Sequence, residues 1–333
     1  MRFSAFAPLL AFLVSLLLLR ALLRHGIAQA VLDQPNERSL HQHPVPRIGG
    51  IAVLAGVGVG WLMVGGSHAW PLLASVGVLV AVSALDDWRG LPIAWRLLTH
   101  GLVVAAYLFV AASGNLGVLT LFALWIGIIW MINLYNFMDG SDGMAGGMAL
   151  IGFGAYGLAA WLGGDSEMML LSLSVAAAAA GFLLFNFPPA RVFMGDAGSI
   201  PLGFLAASLG LVGVIQGLWP TWFPVVVFAP FIVDATVTLF RRLLQGEKVW
   251  RAHRSHYYQR LVQMGWGHRR TALAEYALMG LTGVSAVWAL DQPPAVQNAT
   301  FAVLGLTYIG LMVWLDRKWS AFLKRHSGDI VCE

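Results

Sequence analysis

The chain has 333 residues, 59% of them hydrophobic and only 11% charged, where an ordinary soluble domain carries about 25% charge. That balance, with a mean hydropathy of +0.75, excludes a disordered chain, a coiled coil, a collagen and a disulfide-stapled fold, and the single cysteine, Cys332, excludes an internal disulfide or a cysteine metal cluster. The net charge of +4 at pH 7 reads as basic residues in cytoplasm-facing loops of a membrane protein, with no nucleic acid as partner.

A spanning helix needs about 20 mostly apolar residues. Eleven such runs lie near 3–23, 49–66, 69–85, 93–112, 117–135, 144–163, 168–186, 199–217, 221–240, 271–290 and 296–315. They predict an all-α, polytopic integral membrane protein with about 11 transmembrane helices. One transmembrane domain covers 1–333, with 241–270 as a cytoplasmic loop inside it. The runs are too long, and too little alternating, for barrel strands. Ala28-Gln29-Ala30 has the look of a signal cleavage site, but Arg20 and Arg24 follow the first run and only Arg2 precedes it. The expectation is a retained helix with its N-terminus outside and the C-terminus cytoplasmic. With that orientation 19 of the 20 Lys and Arg residues fall on the inner side.

The informative acids sit at predicted inner helix ends. Asp86-Asp87 ends the third run, Asp139 and Asp142 follow the fifth, Asp196 lies between the seventh and eighth, and Asp234 is inside the ninth. A carboxylate this close to hydrocarbon is costly and marks a functional site by default. Adjacent acids such as Asp86-Asp87 either cap a helix in a solvated loop or hold a cation or proton between them. Oxygen-only ligands suit Mg²⁺, with Mn²⁺ as the alternative.

The densest polar stretch runs from Asn133 to Gly143. Asn133, Asn136 and Asp139 are spaced i, i+3, i+6, one face of a helix. Pro188-Pro189 ends the seventh run, and Phe193-Met194-Gly195-Asp196-Ala197-Gly198-Ser199 follows, its glycines leaving backbone amides open to a phosphate or a metal-bound ligand. In the long inner loop, His253-Arg254-Ser255-His256 precedes Tyr257-Tyr258. Those two His suit a metal or, with Arg beside them, a pyrophosphate. Arg38, His41, His43 and the basic turn Pro44-Val45-Pro46-Arg47-Ile48-Gly49-Gly50 mark the first inner loop.

At these residues the sequence resembles the polyprenyl-phosphate N-acetylhexosamine-1-phosphate transferases, glycosyltransferase family 4, a superfamily that includes the phospho-N-acetylmuramoyl-pentapeptide transferase. The resemblance extends from about Asp33 to Gly267. It is carried by Asn-x-x-Asn-x-x-Asp-Gly-x-Asp-Gly at 133–143, joined in order by Asp86-Asp87, by the segment Phe193 to Ser199 and by the His loop. It implies that Asp196 ligates Mg²⁺ with Asp86 beside it, and that Asp86, Asp87 and Asp196 form the catalytic set, one of the paired acids deprotonating the lipid phosphate. It implies a nucleotide pocket lined by Asn136, Asp139, Asp142 and Asn186, with Phe193 stacked on the uracil. Asn133, Arg47, His253 and His256 complete the implied substrate contacts. The His cluster is sparser than the family's, and Ser141 replaces a commonly apolar residue; both are closer to the branch that starts O-antigen chains.

The implied reaction moves an N-acetylhexosamine-1-phosphate, of GlcNAc or FucNAc type, from a UDP-sugar to undecaprenyl phosphate at the bacterial cytoplasmic (inner) membrane. UMP leaves, and the product opens O-antigen, lipopolysaccharide or related glycan synthesis. Partners are then UDP-N-acetylhexosamine, undecaprenyl phosphate and membrane lipid, with a homodimer allowed. The competing readings are a peptidoglycan or teichoic-acid phosphotransferase and a polytopic transporter. A transporter predicts charged or broken helices near the midplane. CDP-alcohol phosphatidyltransferases, which also use Asp-Gly motifs, need further downstream acids, and none follows Asp142-Gly143 before Asp165.

Overall fold

In the computed structural model, residues 3–25, 31–35, 40, 43–112, 116–249 and 253–326 are described, the side chains of Asp87, Trp88 and His326 excepted. Arg2, Arg38, His41 and Cys332 lie outside the described residues. The described chain is almost entirely helical. Its helices are α1 (Ala7–Arg24), α2 (Gly49–Val64), α3 (Ala69–Arg89), α4 (Ile93–Ala111), α5 (Val118–Phe137), α6 (Met144–Leu162) and α7 (Ser166–Asn186). They continue with α8 (Asp196–Ile215), α9 (Trp222–Val227), α10 (Ala229–Leu244), α11 (Tyr257–Leu261), α12 (Gly267–Ala289) and α13 (Pro294–His326). Two short strands, β1 (Leu32–Asp33) and β2 (Val45–Pro46), pair antiparallel between α1 and α2.

Among the described residues, nine helical stretches are long and apolar enough to cross a membrane. The chain is a multi-pass membrane protein. Two of the eleven expected spans differ. The run 49–66 forms α2, which is shorter at 16 residues. The run 221–240 is broken at Phe228 into α9 and α10. Pro230 sits in the first turn of α10, where it has no N–H to give the preceding turn, so the helix cannot pass straight through.

α8 is the central helix, 83% of its span buried, while α13 is peripheral at 11%. Close approach around α8 depends on residues without side chains. A Cβ on Gly203 would stand 2.8 Å from the Met131 carbonyl of α5. A Cβ on Gly50 of α2 would stand 2.3 Å from the Gly198 backbone of α8. Small residues at helix crossings are the usual means of tight packing where hydrocarbon surrounds the bundle.

Because long helices reverse direction in turn, their ends sort into two sets. At one end, the N–H groups of Gly49 and Gly50 donate to the Phe193 and Met194 carbonyls, both at 2.9 Å, so α2 docks on the loop before α8. Asn186 at the end of α7 meets Gly143 at the start of α6 there too. At the other end, His68 before α3 meets Gln216 after α8 at 2.8 Å, and its N–H is 3.4 Å from Glu167 Oε1 at the start of α7.

Gly50→Ala should therefore separate α2 from the start of α8. A methyl that meets backbone cannot be absorbed by a rotamer change, so a loss of about 1–3 kcal/mol is expected. Thermal unfolding in detergent checks this, with Gly58→Ala, whose added Cβ meets nothing within 4 Å, as the control that should not shift.

Candidate active site

Asp86 lies in the last turn of α3, which closes at Gly90 in the left-handed region, φ +67°. Only glycine takes that conformation without cost, and the turn folds the chain back over the carboxylate. The Leu91 N–H donates to Asp86 Oδ1 at 2.6 Å. The chain then enters α4, whose first turn carries Arg96. One guanidinium nitrogen of Arg96 is 3.1 Å from Asp86 Oδ2, and the other is 3.1 Å from Asp196 Oδ2. Asp196 is the first residue of α8, after Gly195 at φ +71°. A carboxylate there is favoured by the unpaired amides of the first turn. Asn136, near the end of α5, hydrogen-bonds Asp196 and accepts from Ser199 Oγ at 3.0 Å. Three of the residues singled out in the sequence, Asp86, Asp196 and Asn136, thus meet around one arginine. Arg96 escaped the sequence reading because it lies inside the apolar run 93–112, where it passed as an end charge. The signal that marks it is an arginine in the first helical turn after an acidic pair. Asp87 shares helix α3 by its backbone, and its side chain lies outside the described residues.

Asp139 follows the end of α5 and faces the same group. Part of its surface stays accessible, but it is packed among protein atoms. Burial, then the neighbouring Asp196 and Asp33 charges, push its carboxyl well above the usual range, with Arg47 offsetting part of this. Arg47 follows β2 and pairs with Asp33 at 2.5 Å within the first inner loop, and the Phe193 N–H on the Pro46 carbonyl sets that loop against the Asp196 segment. Asn133 does not join the cluster as the i, i+3, i+6 spacing predicts. α5 ends at Phe137, so Asp139 is no longer on its face, and the Asn133 amide donates back to the Ile129 carbonyl at 2.7 Å.

Asp142 and Asn186 brace the loops around the cluster. Asn186 Oδ1 accepts from the Gly143 N–H at 2.9 Å, and its Nδ2 donates to the Val192 carbonyl at 2.8 Å. Asp142 Oδ2 accepts from the Ala190 N–H at 2.9 Å, and Oδ1 lies 3.6 Å from His268 Nδ1. His268, at the start of α12, also meets Ser141 Oγ at 2.8 Å. Ser141, the departure from the commoner apolar residue, thus has a specific partner that the sequence reading passed over. Phe193 is held by its backbone: its N–H donates to the Pro46 carbonyl at 2.8 Å, and its carbonyl receives Gly49.

The His segment is built on Asp234. From inside α10, Asp234 Oδ1 accepts from the Tyr257 N–H at 3.0 Å and from Thr238 Oγ1 at 3.1 Å, and lies 3.2 Å from His256 Nδ1. Its Oδ2 accepts from the Tyr258 N–H at 3.1 Å. Asp234 thus caps the N-terminus of α11 from a neighbouring helix. The Gln259 backbone N–H also points at the His256 ring in a capping box. An ionised carboxylate only accepts, and the charge-assisted contact is the stronger one, so Nδ1 carries the proton and Nε2 is left to other partners. The His253 ring lies 4.8 Å from that of His256. Burial, then His256 and Arg242, push His253 down to about 3, so it is neutral at pH 7. Tyr258 OH donates to the Phe137 carbonyl at 3.2 Å, and the Phe137 and His256 rings are 6.5 Å apart. The His loop therefore reaches the end of α5, beside Asp139.

Among the described residues no group of three or more His, Cys, Asp or Glu side chains stands together at metal-binding spacing. Asp86 and Asp196 instead present two carboxylates toward one cationic group, with the Asn136 amide beside them. That donor set fits a hard divalent ion such as Mg²⁺, which is commonly held by one or two carboxylates and completed by water and substrate phosphates.

An apolar helical bundle with acids, amides and an arginine gathered at one end is a polytopic membrane protein with a polar site at the ends of its helices. Residues 69–214, which contain α3 to the end of α8, match the model of glycosyl transferase family 4. The chain is 31% identical over 300 residues to the probable undecaprenyl-phosphate N-acetylglucosaminyl 1-phosphate transferase of Bacillus subtilis (strain 168), covering 83% of each chain. It is 30% identical over 346 residues to the undecaprenyl-phosphate alpha-N-acetylglucosaminyl 1-phosphate transferase of Yersinia pestis, covering 94% of this chain and 92% of that one. It is 29% identical over 327 residues to the protein of that same name from Escherichia coli (strain K12), covering 89% and 87%. The chain belongs to glycosyl transferase family 4.

Arg96→Ala removes the one group that touches both Asp86 and Asp196. Charge-assisted hydrogen bonds are worth about 1.5–3 kcal/mol, so turnover should fall about 10- to 100-fold. Arg96→Lys, which cannot fork between two carboxylates, should recover only part. Steady-state turnover of both variants, measured on protein that remains folded in detergent, checks this.

Proposed function

We propose that this chain transfers N-acetylhexosamine-1-phosphate, of GlcNAc or FucNAc type, from a UDP-sugar to undecaprenyl phosphate at the cytoplasmic face of the inner membrane. The observation that carries the reading is the meeting of Asp86, Asp196 and Asn136 on Arg96, with Asp139 adjacent, at the end of the bundle toward which the positive charge is biased. The donor is water-soluble and the acceptor's phosphate sits at the interface, so a site at helix ends serves both. The names of the relatives support the undecaprenyl phosphate acceptor and the sugar-1-phosphate. The form of the Asp-Gly and His motifs supports the O-antigen-initiating branch.

The chemistry is a phosphoryl displacement. An oxygen of the lipid phosphate forms a bond to the sugar-bound phosphorus of the donor, the bond to the UMP oxygen breaks, and UMP leaves with the electron pair. A Mg²⁺ held by Asp196 and Asp86 would supply charge neutralisation for the phosphates. Arg96 keeps the two carboxylates at a fixed separation. Asp86 or Asp87 accepts the proton of the lipid phosphate. Asn136 and Asp139 hold the nucleotide side with Phe193 stacked on the base, while Asp142 and Asn186 fix the loops that shape that pocket. Arg47, the neutral His253 and the neighbouring His256 orient the donor's pyrophosphate and sugar by hydrogen bonding.

A transporter reading finds little support. Among the acids inside described helices, Asp234 of α10 has its oxygens taken up by Thr238, His256 and two backbone amides, which makes it part of the architecture, and Glu275 of α12 is buried close enough to Asp234 to feel its charge.

Purified protein with undecaprenyl phosphate, Mg²⁺ and a panel of UDP-N-acetyl sugars should release UMP, and with Asp196→Asn the rate should drop by about two orders of magnitude or more. Near-normal Mg²⁺-dependent turnover in that variant would remove Asp196 from the reaction.

Orientation has its own test. In a Cys332→Ser background, a cysteine at Arg254 should react with an impermeant reagent only from the cytoplasm, and one at Ser67 only from outside. Periplasmic labelling at position 254 would place the site out of a cytoplasmic donor's reach and sink the reading.

A further inference from the structure

α13 is the least embedded of the long helices, with 11% of its span buried, yet it runs for 33 residues. At about 1.5 Å per residue it is roughly 50 Å long, well beyond the ~30 Å hydrocarbon thickness. About 20 residues from Pro294 complete the crossing, which places Asp316 just past the apolar stretch, level with the inner ends of α10 and α12.

There Asp316 gathers three groups. Arg241, in the last turn of α10, is 2.6 Å from both of its carboxylate oxygens. Arg260 of α11 is 3.0 Å from Oδ1, and Tyr257 OH is 3.4 Å from Oδ2. The Arg241 guanidinium also reaches Tyr257 OH at 2.6 Å. Arg260 lies over the Tyr257 ring at 4.9 Å and the Trp319 ring at 5.8 Å, and donates to the Ser255 carbonyl at 2.8 Å. A single exposed ion pair contributes little. This is a network of two arginines, a phenol and a carboxylate, with Arg260 largely shielded from water.

We infer that Asp316 is a positioning residue for the transferase site: from the last helix it holds α11, and with it His253 and His256, in register with the carboxylate cluster. The segment 253–261 has two anchors of different kinds. Asp234 binds the first amides of α11 from beneath, and Asp316 binds Tyr257 and Arg260 from the side. Asp234 and the Tyr258 contact with Phe137 hold one side of α11 and leave the side that carries Tyr257 and Arg260 untethered. The second anchor fixes that side, and so fixes which way the His rings face. Arg241 links the two, because it lies two turns beyond Asp234 on the same helix. The inference rests on the transferase reading for its functional half and on the network alone for its structural half.

Asp316→Asn keeps the size and removes the charge; Asp316→Glu keeps the charge. In the Asn variant, hydrogen exchange across 253–261 should rise about tenfold while α6, α7 and α8 stay as in the parent. The donor KM should rise about tenfold with the acceptor KM within about twofold, and the Glu variant should restore most of both. Unchanged exchange in 253–261, or a rise spread equally over α6–α8, overturns the inference. Should the Asn variant not be recovered folded, Arg260→Gln removes one partner only and should show the same local pattern more weakly; parental exchange and donor KM there overturn it equally. If the parent releases no UMP from any donor, the transferase reading fails while the exchange measurement still decides the anchor.

Discussion

At the inner helix ends, acids close to the hydrocarbon are held by partners from other helices. The decisive instance is Arg96, which stands 3.1 Å from both Asp86 and Asp196. Two acids from different helices would repel at that range, and the cost of their charges grows as water is excluded. One fork-shaped cation satisfies both, and it comes from the helix that follows Asp86 directly. The turn at Gly90 and Leu91 is what allows this. It reverses the chain tightly enough for α4 to start beside the end of α3. The start of α8 is then drawn to α3 and α4 by charge, to α5 through Asn136 and Ser199, and to α2 by backbone hydrogen bonds.

Asp234 applies the same rule in a different way. It lies inside α10, and replacing it would leave the Tyr257 and Tyr258 amides and the His256 ring without their acceptor. Breaking such a buried set costs about 3–5 kcal/mol. In exchange for that exposure to loss, a long hydrophilic loop gains a fixed starting point. The five residues of α11 are too few to form a helix on their own account. They form one because an acid from a neighbouring helix satisfies their first amides.

The apolar runs were legible from composition alone, since a helix in lipid must satisfy its own backbone, and the run ends fell within a few residues of the helix ends except at α13, which continues past the apolar run to His326. The break at Phe228 was not read, because Pro224 and Pro230 lie within a continuous apolar stretch and hydropathy does not register a missing N–H. The motifs were legible as a set: Asp86, Asn136, Asp139 and Asp196 do converge. Their division of labour was less so. Asn133 carries the right spacing but spends its amide on its own helix, and Asp142 and Asn186 face backbone groups that no spacing rule foretells. Arg96, His268 and Asp316 were missed for one reason. Each sits at the edge of an apolar run, where Arg96 passes as a positive-inside charge and where His268 and Asp316 merge into the basic pairs Arg269-Arg270 and Arg317-Lys318 that follow them. Partners of theirs lie 100, 126 and 75 residues away along the chain, and only Arg96 also has a near one, Asp86, that a local pattern could have offered.

The site therefore has two halves of unequal rigidity. The carboxylate half stands on α3, α4, α5 and α8, whose ends are tied to one another by ion pairs and backbone hydrogen bonds. The His half hangs on α10 and α13, and joins the first half through the Tyr258 contact with Phe137 and through His268. A reaction with one lipid-bound and one soluble substrate suits such a division. The phosphates need fixed charges, because the displacement gains most from groups placed before the substrate arrives. In the proposed reaction a nucleotide-sugar enters and UMP leaves in every cycle, which asks for a wall that can yield without disturbing those charges. A loop anchored at two points to peripheral helices, and lying outside the 69–214 stretch that matches the family model, is where such yielding costs the fixed half least.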